Sequence, residues 1–127
     1  MQIITRIVIG FLLVIHGFAH WHITTAWDSE PTEASWLLHN FGLDQASLHA
    51  LGSVLWMVTL LAFITTGIVL FMGLAWWRPL AIVASVMSLL TIGLFWQLNL
   101  GIGALVDVGI LLALLWVHWP TTTWVGV

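Results

Sequence analysis

His16 and His20 stand four residues apart in "RIVIGFLLVIHGFAHWH", the stretch from Arg6 to His22. On a helix that spacing brings both imidazoles to nearly one face. Imidazoles so placed can share a metal ion, ligate a haem or a chlorophyll-type pigment, hydrogen-bond a quinone head group, or pass protons. They can equally serve packing alone, by bonding to backbone carbonyls or to an acid on another helix. The one acid that lies inside a later apolar run is Asp107. An ionisable group in such a setting is costly and normally turns to the protein interior, where it is paired or protonated. A His–Asp pair relieves both partners, so Asp107 is the most informative single residue of the chain.

The elements that must carry these groups are set by composition. Of the 127 residues, 61% are apolar and 6% charged, where a soluble domain carries about a quarter charged. A chain this short cannot enclose so much apolar surface in one core, and the lipid bilayer is its natural solvent. There is no cysteine, which excludes disulfides, thiolate metal sites and cysteine redox chemistry. A formal charge of −3 with only two basic residues excludes a nucleic-acid surface.

A membrane-crossing helix needs about 20 mostly apolar residues. Four runs qualify, at about 3–25, 49–77, 79–97 and 100–119. The first begins like a signal peptide but lacks a small-residue cleavage site, so it is expected to be a retained span. Strands are not expected, because the runs are long and lack period-2 alternation. The expected fold is all-α: one integral membrane four-helix bundle over 1–127. Arg6 and Arg78 fall on the same side in a four-span chain, and the positive-inside rule makes that side, with both termini, cytoplasmic. Asp28, Glu30, Glu33 and Asp44 fall in the opposite loop. Trp21, Trp27, Trp36 and Trp96 are expected near the outer ends, and Trp76, Trp77, Trp116, Trp119 and Trp124 near the inner ends, as belts. Only Trp56 lies well inside a span. In the outer loop, Trp36, Leu37, Leu38 and Phe41 suggest a short helix at the membrane surface, and "FGLDQASLHALG" reads as a turn with Asp44 capping the next helix.

Helical spacing defines one stripe per span. Span one offers Arg6, Gly10, Leu13, Gly17, His20 and Thr24, with His16 at its edge and His22 turned away. Span two offers Gly52, Thr59, Thr66 and Gly73; span three offers Ala81, Ser85 and Ser88; span four offers Leu100, Gly103, Asp107, Leu111, Leu114 and His118. The glycines on the stripes of spans one and four would each allow close approach of a neighbouring helix. With midpoints near Val14 and Leu111, His16 lies roughly 3 Å, Asp107 roughly 6 Å and His20 roughly 9 Å to the outer side. If spans one and four are neighbours, the three occupy one layer, with His49 near its mouth and Trp21 placed to pack on a ligand. Two histidines of one chain ligating a haem would need His49 or His118 at matching depth, and neither lies there.

Arg6, Gly10, the His16–Gly17 pair and His20 resemble the opening of DoxX-like membrane proteins. There an R-x-x-x-G segment leads to a histidine-glycine pair and then to a basic residue three positions on. "FGLDQASLHALGSVLWMVTLLAFITTGIVLFMGL" is similar to that family's short loop, second span and closing Gly-Leu, and "GLAWWRPLAIVASVMSLL" to its Gly-Leu, Arg and third span. The chain departs from the pattern at His20, where the family usually has lysine, and in span two, which has no acid. The resemblance implies a bacterial-type inner-membrane, redox-associated protein, linked in some members to quinone reduction.

Three functions are compatible with these residues. The first is a non-catalytic, auxiliary subunit of a respiratory or photosynthetic electron-transfer complex, embedded in lipid among other membrane subunits. The second is a quinone-interacting oxidoreductase using His16, His20 and Asp107 near the outer leaflet, with Trp21 and His49 beside the ligand. The third is a metal-binding or transport protein using the histidines, His16 and His20 first among them, and the outer acids.

Overall fold

The computed structural model describes residues 2–29, 35, 37–95 and 100–126, with the backbone alone at 21–29, 39 and 122. Every regular element among them is helical. Helix α1 spans Gln2–Ser29, α2 Gln45–Phe71, α3 Trp77–Leu94 and α4 Gly101–Leu111. Helix α4 continues as a π-helical turn over Leu112–Trp116, and a one-turn α5 (Thr122–Val125) follows. The apolar stretches Gln2–His20, Gln45–Phe71 and Trp77–Leu94 are long enough to cross a membrane; Gly101–Trp116 is apolar but shorter.

Close packing runs from α1 to α2, from α2 to α3 and from α3 to α4, while α5 folds back on α1. The inward face of α1 is Gly10, Leu13, Gly17 and His20, which is the stripe its spacing defines. Ile4, Ile7, Val8, Phe11, Leu12, Ile15 and Phe18 face outward, an apolar surface suited to lipid. On the inward faces of α2 and α3, Gly52, Thr59 and Thr66, and Ala81, Ser85 and Ser88, are all buried as expected. Within lipid, burying apolar groups between helices releases no water, so close packing and hydrogen bonds carry the association. Thr59, Thr66 and Thr91 return their hydroxyls to the carbonyls four residues back, at 2.9, 2.7 and 2.8 Å. They are satisfied without help from a neighbouring helix.

The partner of the α1 glycines, which their spacing leaves open, is α2. A β-carbon built on Gly10 would strike the Phe71 ring, and one on Gly17 would lie 3.2 Å from the Leu60 carbonyl oxygen. Glycines line both α1 and α2 at this seam, since Gly67 sits against Val14 and Gly10. Gly103 of α4 lies near Ile92 of α3 instead.

Helix α2 stops at Phe71, six residues before the expected end at Trp77. Gly73 adopts φ 73°, its N–H bonds to Leu70 O at 3.0 Å, and Leu74 N–H bonds to Val69 O at 3.1 Å. This paired bonding around a left-handed glycine ends helices efficiently. Pro79 falls in the first turn of α3 as expected, where its missing N–H is no loss. At the far end, α4 finishes before Pro120. Val117 N–H reaches back to Leu112 O at 3.0 Å, and Arg78 donates to Leu114 O at 3.4 Å. Gln2 donates to Thr123 O at 2.9 Å. These contacts gather both arginine-bearing helix starts and the C-terminal segment at one end. Trp76, Trp116, Trp119 and Trp124 are exposed there, but Trp77, expected in the belt, is buried in the core.

At the opposite end, Ser35 donates to the last carbonyl of α3, that of Leu94. Of the residues expected to form a surface helix in this loop, Trp36 lies outside the described residues, and Leu38–Phe41 form a 3-10 turn. Gly42 follows at φ 71°. Asp44 caps α2, accepting from Ser47 N–H at 2.7 Å. Bonding to the Ser47 side chain and backbone holds its carboxyl below the usual carboxylate value. The lowered value fixes the sign of a pH effect. The cap's charge contribution is complete above the ordinary carboxylate range and is lost as pH falls through the depressed folded value. Asp44→Ala is expected to lower the thermal midpoint at neutral pH, with the gap to wild type closing on acidification, while Asp44→Asn keeps most of the cap. A gap that stays constant with pH would remove the carboxylate from this role.

Candidate functional site

The core divides into two apolar clusters. One joins Leu13, Phe63, Leu70, Trp77, Ala81, Ala84, Leu114 and Val125; the other joins Trp56, Ile92 and Leu100. Between them, at matching levels of α1, α3 and α4, lies a polar layer. His16 Nε2 is 3.0 Å from Asp107 Oδ1. Ser88 Oγ donates to Asp107 Oδ2 at 2.5 Å, and His20 Nε2 lies 3.4 Å from the same hydroxyl. Asp107 is 0% exposed and His20 2%, whereas the His16 side chain keeps 12% of its surface exposed.

Aromatic rings wall this layer. The His16 ring meets Phe63 edge-on at 4.6 Å and His20 edge-on at 5.2 Å. His20 stacks on Trp56 at 5.5 Å and lies parallel to Phe63 at 5.8 Å. Both His rings are therefore held in orientation, and Trp56 is buried completely. The indole N–H of Trp56 and the hydroxyl of Ser85 are buried without a hydrogen-bond partner among the described residues.

The arrangement has a definite polarity. An ionised carboxylate only accepts, and a serine hydroxyl has one proton. With Ser88 donating to Asp107, the contact between Ser88 and His20 requires Nε2–H of His20 as donor. His16 Nε2–H donates to the other carboxylate oxygen. Both donor lines converge on Asp107, whose two oxygens are each engaged. Such a couple can hold a proton on either partner with little movement of heavy atoms.

The spacing thus anticipates a meeting that the structure contains: His16, His20 and Asp107 share one layer. It comes about without close packing of α1 on α4. The His16–Asp107 bond spans the space between them. His49 lies half-buried in the second turn of α2, two helical turns before Trp56. The side chain of Trp21 lies outside the described residues. His118 is exposed at the other end, beyond the π turn, with its Nδ1 3.0 Å from Trp116 O. In this arrangement the Nε2 atoms of His16 and His20 are turned to Asp107 and Ser88. Among the described residues no three His, Asp or Glu side chains are grouped to hold an ion.

Ser88 is the member that spacing placed only on a packing stripe. Depth is the available signal: Ser88 lies roughly 4 Å past the middle of α3, on the side toward which Asp107 is displaced in the expected fourth span. In comparisons with protein-family models, curated proteins and solved structures, nothing matches this chain.

Proposed function

We propose that this chain is a four-span, DoxX-like protein of a bacterial-type inner membrane, with both termini cytoplasmic. It serves as an auxiliary subunit of a membrane electron-transfer complex, where its His16–Asp107 couple exchanges a proton with a quinol-type head group. The observation that carries this reading is the couple itself, bonded at 3.0 Å within apolar helices and with one imidazole edge exposed. An intramembrane ionisable pair is expensive to keep. A head group entering from the lipid between α1 and α4 would meet that edge first. With no cysteine in the sequence, an iron–sulfur centre taking up the electrons would belong to a partner subunit. The exposed apolar faces of α1 and α4 offer flat sides for lipid or for such a partner. Gly101–Trp116 falls short of the usual ~20 residues; Leu100 and the segment to Trp119 extend it toward a fourth crossing.

The test uses native membranes and the complex purified in mild detergent. Asp107→Asn is expected to lower quinol-dependent electron transfer by about 100-fold while the partner subunits still co-purify. An unchanged rate would sink the proton-exchanging role. A chain that purifies alone would sink the subunit role.

A further inference from the structure

Among the described residues, the hydrogen-bonded chain leads away from the His16–Asp107 couple in one direction. From Asp107 Oδ2 it passes through Ser88 Oγ at 2.5 Å to His20 Nε2 at 3.4 Å. His20 is one helical turn beyond His16, toward the end where α1 joins α2. We infer that Ser88 is a proton-conducting hydroxyl that makes His20 the port through which the couple is loaded and emptied. This rests on reading the couple as a proton acceptor within a membrane.

The step balances without any further reagent. A proton arriving at His20 Nδ1 makes the ring an imidazolium. The Nε2–H bond then breaks as a new O–H bond forms at Ser88 Oγ. The original Ser88 O–H bond breaks as its proton joins Asp107 Oδ2. His20 is left neutral with its proton on Nδ1, Ser88 is again a hydroxyl, and Asp107 is an acid. The reverse sequence empties the couple. Two features favour this route over leakage elsewhere. Phe63 and Trp56 flank the His20 ring, and the only other ionisable side chains on α2 and α3 are His49 and Arg78. His49 is two turns along α2 from Trp56, and Arg78 is ten residues from Ser88 along α3.

The experiment uses the full chain, labelled at histidine nitrogen and held in lipid nanodiscs. Magnetic resonance reads how fast the proton on His16 Nε2 exchanges with water. Conduction through Ser88 predicts that Ser88→Ala slows this exchange by about 100-fold, with Ser88→Thr restoring it. A hydroxyl that only braces the helices would act in the opposite sense, since its loss loosens the site and speeds exchange. His20→Phe keeps a ring between Phe63 and Trp56 and is expected to slow exchange as Ser88→Ala does. Unchanged or faster exchange in Ser88→Ala or in His20→Phe overturns the inference. The exchange rate is read without quinol or partner, so this failure is distinct from a failure of the Asp107→Asn activity test.

Discussion

Exchanging His16 for leucine will cost the folded chain about 3–5 kcal/mol, and exchanging Asp107 for valine in the same chain will return most of it. The single change leaves Asp107, completely buried, with Ser88 as its described partner and an unmatched charge. The double change removes the charge as well. Ser88 then has the carbonyl four residues back on its own helix, as Thr59, Thr66 and Thr91 already use. The size of the effect identifies its cause. An ordinary hydrogen bond between membrane helices is worth only ~0.6 kcal/mol. A loss near that value in His16→Leu would mean that Asp107 is neutral and that the couple holds no ion pair. A loss several times larger, with recovery in the double variant, would mean that the cost is the orphaned charge. Reversible unfolding in mixed micelles, run on both single variants and the double variant, gives the coupling directly.

What could be read from the sequence was whatever depends on periodicity within one helix. Gly10, Leu13, Gly17 and His20 fall on one face because 3.6 residues make a turn, whatever that face meets. The cap at Asp44 is equally local, since a carboxylate three residues before a free N–H needs no tertiary contact. The layer of His16, His20 and Asp107 followed from rise per residue. Neighbour choice was not legible. Gly10 and Gly17 mark a close approach but do not name the partner, and glycines in both α2 and α4 would have answered. The end of α2 is hidden in the sequence because apolar character runs unbroken through Met72, Leu74 and Trp76, and composition conceals a break that backbone geometry makes at Gly73. The π turn at Leu112–Trp116 leaves no compositional trace, because it is stabilised by bonds such as that from Arg78 to Leu114 O. Ser88 was visible as a buried residue but not as Asp107's partner, since a mid-helix serine usually satisfies itself.

The seam of α1 and α2 gives the second large effect, and it reaches the site through packing. A β-carbon at Gly67 would lie 2.5 Å from Val14 Cγ2 and 2.8 Å from the carbonyl oxygen of Gly10. Val14 can turn away; the Gly10 carbonyl belongs to the backbone of α1 and moves only if the helix does. Gly67→Ala is therefore expected to lose about 1–3 kcal/mol by overpacking. Gly109 is the control, because an added β-carbon there meets nothing within 4 Å, and Gly109→Ala is expected to gain about 0.5–1 kcal/mol in helix propensity. The displacement at Gly67 is also felt at His16, two residues beyond Val14 and seated edge-on against Phe63 of α2. Once α1 is pushed outward, His16 no longer meets Asp107 at bonding distance. His16→Leu should then cost less in the Gly67→Ala background than in wild type, a departure from additivity that contacting networks show. Full additivity of the two changes would mean that α1 yields locally at Val14 and leaves His16 in place. Equal stability of Gly67→Ala and wild type would mean that the α1–α2 approach is not the constraint that holds the polar layer together.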